Sequence, residues 1–267
     1  MKKNIFAIIL ISILFSCKDN KETKAVNNTV IAKDTVVETA ENEITAEEEE
    51  FKKDFTILLP RTYRTYNDIN EAASLNEKWL ELYEENGQYY LGKAKFKIEN
   101  GYDECVGDST KSISPENKAL IFIENPELKT GKIKSLKIDK NKIWPGEKHS
   151  FTFNSQTYTL RGEGKVLSEE KVSTDDDKTE IYKKVENYKL YLNAGSNEKL
   201  LLKEASFNDT FVELLFAGDI DGDGKLDFIF GANRDYEEER VILFLSSKAE
   251  NGNAVKKVSE IAVQFDC

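Results

Sequence analysis

Phe211-Val-Glu-Leu-Leu-Phe216-Ala-Gly-Asp219-Ile-Asp221-Gly-Asp223-Gly-Lys225-Leu-Asp227-Phe-Ile-Phe230 is the stretch on which the fold turns. Two short apolar runs, each of strand length and rich in aromatics, flank a polar loop. Counting from Asp219, aspartates stand at loop positions 1, 3, 5 and 9, and glycine at position 6. Alternate carboxylates then point inward, the glycine turns the chain, and Lys225 at position 7 offers its carbonyl while its ammonium points outward. Carboxylates about 5 Å apart repel by several kcal/mol at an effective dielectric near 20, so such a cluster calls for a cation. An oxygen cage of this kind suits a hard divalent ion, Ca2+ first. No histidine or cysteine lies nearby in sequence to suggest a softer metal.

The ligand order is that of an EF-hand loop, yet position 12, where a hand keeps a bidentate glutamate, is Phe230. Strand-like flanks also rule out a helix–loop–helix. The stretch resembles instead the Asp-x-Asp-x-Asp-Gly-x-x-Asp loops of FG-GAP and integrin-type repeats. That resemblance implies ligation by the side chains of Asp219, Asp221, Asp223 and Asp227 and by the backbone of Lys225. Single Asp-rich loops in exported modules usually hold calcium weakly and order a hairpin, so a structural role is expected ahead of a catalytic one. The resemblance covers some twenty residues and occurs once, so it does not imply a propeller. Dockerins carry two such loops and keep an acid at position 12, which excludes that relation.

Outward from the loop, most of the chain reads as strands. Runs at 55–59, 90–98, 119–123, 133–138, 150–153 and 157–160 come before it, the last two joined by a turn at Asn154-Ser155. Further strands are expected at 179–192, 199–204, 210–217, 226–230, 241–245 and 260–265. One helix is expected over 75–86. Ser74-Leu-Asn-Glu77 reads as its capping box, Trp79, Leu80, Leu82 and Tyr83 as its buried face, and Asn86-Gly87 as its stop. The expected fold is mainly β (α+β): antiparallel sheets with one short helix and a calcium-binding strand–loop–strand near the C-terminus. The stretch from Arg234 to Arg240 reads as a solvated charged loop.

The N-terminus carries an address. Met1-Lys-Lys-Asn precedes an apolar run from Ile5 to Phe15, interrupted only by Ser12. Eleven helical residues span roughly 16 Å, about half a bilayer core, so the segment reads as a secretory signal rather than a membrane span. Leu14-Phe15-Ser16-Cys17 resembles the lipobox of bacterial lipoproteins. It implies a signal peptide over 1–16 and lipid on Cys17, and two lipid attachments give stable anchoring. Lys18-Asp-Asn-Lys-Glu22 resembles the surface-export signal of Bacteroidetes lipoproteins, which implies the outer membrane or cell surface. Residues 17–52 hold no aromatic before Phe51 and too little apolar surface to offset chain entropy, so they read as an acidic tether. The body is expected over 53–267.

The whole chain has 267 residues, 38 basic and 49 acidic, a formal charge of −11, and 39% apolar side chains. That apolar content fills a core, and the negative excess argues against nucleic acid as a partner. A single histidine, His149, removes any site that needs two imidazoles. Once Cys17 is lipidated, Cys105 and Cys267 are left, and an even pair in an exported chain suggests a disulfide. There is no nucleophile elbow, phosphate-binding loop or dinucleotide fingerprint. Tyr63, Tyr66, Tyr89, Tyr90 and Trp144 could stack on sugars, although core packing accounts for them more simply. The best functional reading is a surface or outer-membrane lipoprotein whose calcium-stabilised β body binds a protein or glycan. The alternatives are a lipid-anchored hydrolase using a carboxylate pair, and an envelope structural or inhibitor protein.

Overall fold

The computed structural model describes residues 51–173, 179–195 and 197–267. The signal peptide, Cys17 and all of the tether before Phe51 lie outside these residues. The N-terminal half of the body holds β1 (Ile57–Leu58), β2 (Thr62–Arg64), a single 3-10 turn (Glu71–Ser74), β3 (Leu80–Glu85), β4 (Gln88–Lys93), β5 (Phe96–Asp103), β6 (Asp108–Pro115), β7 (Lys118–Ile123) and β8 (Gly131–Lys132). Next come β9 (Lys148–Phe153), β10 (Gln156–Ser173), β11 (Thr179–Ala194) and β12 (Asn197–Ser206). The chain closes with β13 (Glu213–Gly218), β14 (Asp227–Gly231), β15 (Glu238–Leu245) and β16 (Lys256–Gln264). All strand pairs are antiparallel. They build sheets ordered β1-β7-β3-β4-β8, β2-β6-β5, β12-β11-β10-β9 and β13-β14-β15-β16.

The last of these sheets is buried on both faces. Successive residues of a strand point to opposite sides. Along β15, Val241, Leu243 and Leu245 enter one apolar core while Ile242 and Phe244 enter another. The same alternation sends Phe216 and Ile229 one way and Ala217, Phe228 and Phe230 the other. The first core is completed by Leu82, Ile121 and Ile123 of the five-stranded sheet, the second by Tyr158, Leu160, Leu190 and Leu192 of the long-stranded one. An unbroken run such as Val241-Ile-Leu-Phe-Leu245 is therefore what a middle layer requires. The sheet's edges are also covered. Leu136 N–H donates to Ala217 O at 2.9 Å on one side, and Asp54 N–H to Val258 O at 2.8 Å on the other.

The expected helix over 75–86 is not formed. Its second half is strand β3, and Asn86 (φ 53°) with Gly87 (φ 75°) makes the two-residue turn into β4. Ser74 closes the 3-10 turn, its hydroxyl donating to Glu71 O at 2.8 Å, and no capping box forms with Glu77. Leu80 and Leu82 are buried, and so are Trp79 before them and Glu81 between them. With both faces covered, the period of two was hidden and the run mimicked a helical stripe. The expected strand at 90–98 is broken at Ala94-Lys95, where the chain passes from one sheet to another. The run at 133–138 forms no named strand and joins the middle sheet by one bridge, Ser135 to Gly218. Arg234–Arg240 is not a solvated loop. Arg240 is buried between Glu204 and Glu260, and Glu238 is buried against Arg234.

Glu81 has no exposed surface. Burial pushes its carboxyl above the usual range, while bonds from Asn117 and the Lys95 N–H pull it back. Unfolded glutamate ionises near pH 4.3, so folding costs more as pH rises from about 4 towards the raised folded value. Glu81→Gln is expected to remove that dependence. Thermal melts across pH 4–7 should show wild type losing ground to the variant as pH rises, and parallel curves would refute it.

Candidate metal centre

β13 and β14 pair through Gly218 and Asp227, so the aspartate loop is the connection of a strand hairpin, as the flanks implied. Gly218 starts it under constraint. A Cβ there would lie 2.8 Å from Lys134 O, and the next residue, Asp219, donates its N–H to that same carbonyl at 3.0 Å. The turn at position 6 is Gly224 with φ 85°, a left-handed value glycine takes at no cost.

Ligand oxygens of Asp219, Asp221 and Asp227 all lie within 4.8 Å of one another, a group that could hold a metal ion. Their backbone does much of the orienting. Asp219 accepts from Gly222 N–H at 2.8 Å and Gly224 N–H at 3.0 Å. Asp227 has no exposed surface and takes four donors. Ile220 N–H (2.7 Å) and Asp221 N–H (3.3 Å) reach one oxygen; Ser246 N–H (2.7 Å) and Ser246 Oγ (2.8 Å) reach the other. Asp223 and Lys225 stand outside the three-carboxylate group. Asp223 Oδ1 accepts from Lys225 N–H at 2.8 Å and shares the single Ser246 hydroxyl proton with Asp227, its Oγ at 3.0 Å, and the Lys225 ammonium lies 3.8 Å from Asp223 Oδ2.

The electrostatics of the loop are those of a site short of positive charge. Burial, then the charge of Asp221, pushes Asp227 up to about 8, against the pull of its donors. Burial raises Asp219 as well. Hydrogen bonds alone thus leave the innermost carboxylate undercompensated at neutral pH.

Three contributors carry no signal in the sequence. Ser246 comes from the turn after β15 and braces Asp223 and Asp227 together; Ser247 N–H reaches Asp221 at 3.3 Å. Asn154, from the turn between β9 and β10, donates to Gly224 O at 2.7 Å. All three lie outside the loop in sequence, and serine or asparagine in a turn carries no mark of such a role.

No protein-family model, curated protein or solved structure matches this chain. The site therefore rests on its own chemistry.

The remaining sequence candidates are dispersed. Cys105 and Cys267 are bonded, with Cα atoms 5.4 Å apart, so neither is a nucleophile beside His149. His149 sits on β9, half-buried, beside Phe151. Tyr63 and Trp144 are core residues: the Tyr63 hydroxyl donates to Leu59 O at 3.0 Å, and Trp144 stacks on Phe211. Tyr66, at 77% exposed, remains free to meet a ligand; Tyr89 is half-buried against Phe216, and Tyr90 stacks on Tyr83.

Proposed function

We propose that the 219–227 loop is a structural calcium site in the body of a lipoprotein. Cys17 would anchor that protein to the outer membrane or cell surface, and the body would bind a protein or glycan. The carrying observation is the three-carboxylate group with the wholly buried Asp227 at its base. Calcium binds oxygen at about 2.3–2.6 Å, so oxygens around one ion stand up to about 5 Å apart, which matches the spacing here. Asp223 and the Lys225 carbonyl are the next donors along the loop. Phe230 cannot serve at position 12, since its ring lies in the second core. An ion here would supply the missing positive charge and draw together the loop, Ser246-Ser247 and the β9–β10 turn. A binding role is supported by Tyr66, Ile69, Tyr102 and Tyr236, which are more than half exposed.

Calcium calorimetry and melts on the full chain, beside an Asp221→Ala/Asp223→Ala variant, test the site. Saturable binding is expected with Kd around 10⁻⁴–10⁻³ M. At ten times Kd the ion should add roughly 1.4 kcal/mol of stability, absent from the variant. No heat and no shift would end the calcium reading. The loaded protein is then screened for retention of glycans and envelope proteins; turnover of a substrate would favour a hydrolase.

A further inference from the structure

β10 and β11 outrun their neighbours. β9 pairs with β10 only over Gln156–Arg161, and β12 with β11 only over Glu186–Ala194 with Ser206 as its last contact. Beyond them lies a two-stranded ribbon, Val166–Ser173 against Thr179–Val185. Its face towards the body is fixed by Tyr182, which packs on Trp144 and donates to Thr210 O at 3.2 Å. Its edges differ. The β10 edge carries an extra residue, Leu167, at the Val166/Ser168 register shift at the base of the ribbon. Such a bulge twists an edge away from further pairing. The β11 edge over Thr179–Lys184 carries no extra residue, no glycine or proline, and Ile181 at 52% exposed.

We infer that the β11 edge, Thr179–Val185, pairs antiparallel with the same edge of a second copy of this chain. The sequence Thr179-Glu-Ile-Tyr-Lys-Lys-Val185 is charge-complementary to itself in reverse. Placing Tyr182 on the two-fold axis sets Glu180 opposite Lys184 of the second copy, and Lys184 opposite its Glu180. Each contact occurs twice, as an isologous interface requires. Ile181 then meets the aliphatic stem of Lys183. Among the described residues Glu180 makes a loose ion pair, 3.6 Å from Lys142, and its carboxylate can take a second partner. Two ribbons joined this way form a continuous four-stranded sheet and remove the open edge from both.

Sedimentation of the full chain, in mild detergent to keep the apolar leader soluble, tests this. Wild type should show a monomer–dimer equilibrium. Glu180→Lys and Lys184→Glu should each weaken it roughly tenfold, because each sets two like-charged pairs in place of two opposite ones. The double reversal should restore it, and melts of all three variants should match wild type. A monomer at every concentration overturns the inference. Association untouched by the single reversals, as the leader alone would give, overturns it equally, as does a double reversal that fails to rescue.

Discussion

Replacing Asp227 with alanine is expected to abolish cation binding and to lower stability by about 3–5 kcal/mol. The change removes the acceptor of three backbone N–H groups, those of Ile220, Asp221 and Ser246, and leaves the Ser246 hydroxyl only Asp223. A buried donor left unpaired costs about 1–3 kcal/mol, and removal of a buried polar carboxyl offsets part of the sum. Denaturant unfolding of the variant, with and without calcium, measures it. A loss under 1 kcal/mol would mean that the loop is held elsewhere.

Wild type adds a signature in pH. Without a cation, unfolded Asp227 ionises near pH 3.9, whereas the folded group waits until about 8. The folded state then holds the extra proton between those values, so stability falls as pH rises across the interval. Calcium, which replaces that proton, should flatten the profile and bind more tightly towards pH 8.

Removing the disulfide by Cys105→Ser/Cys267→Ser should cost about 5 kcal/mol in the chain-entropy model, since the bond closes a loop over a separation of 162 residues. For a body of this size that corresponds to a melting temperature lower by roughly 10–20 °C. The bond ties the β5–β6 turn to the tail after β16. A weaker clamp lies beside it: Arg64 reaches Asp103 at 2.8 Å and Asp266 at 3.4 Å. If the melt falls by less than 3 °C, that clamp holds the tail unaided.

Strands with one wet face were legible, and so was the hairpin around the aspartate loop, because alternation and turn chemistry act locally. Unbroken apolar runs such as Val241–Leu245 were legible too; the failure was β3, where a charged residue interrupts a run buried on both faces. In β3 the charged Glu81 looked like a solvent position, and Asn86-Gly87, among the strongest hairpin turns, was read as a helix stop. Arg240 failed for a related reason. An arginine buried between two glutamates looks, in sequence, like any surface charge. Within the metal centre the aspartates were legible by spacing, but Ser246 was not, because its role depends on which loops the tertiary fold brings together.

The middle sheet is encoded last. Its four strands begin at Glu213, after every strand of the outer layers. The first half of the chain can form hairpins as it is made, yet neither apolar core can close until the final stretch arrives. Most stabilising contacts are therefore long in sequence, which predicts slow folding for a chain of this length. A nascent chain truncated before β13 would expose both half-cores at once, and would be a substrate for chaperones or proteases rather than a stable fragment.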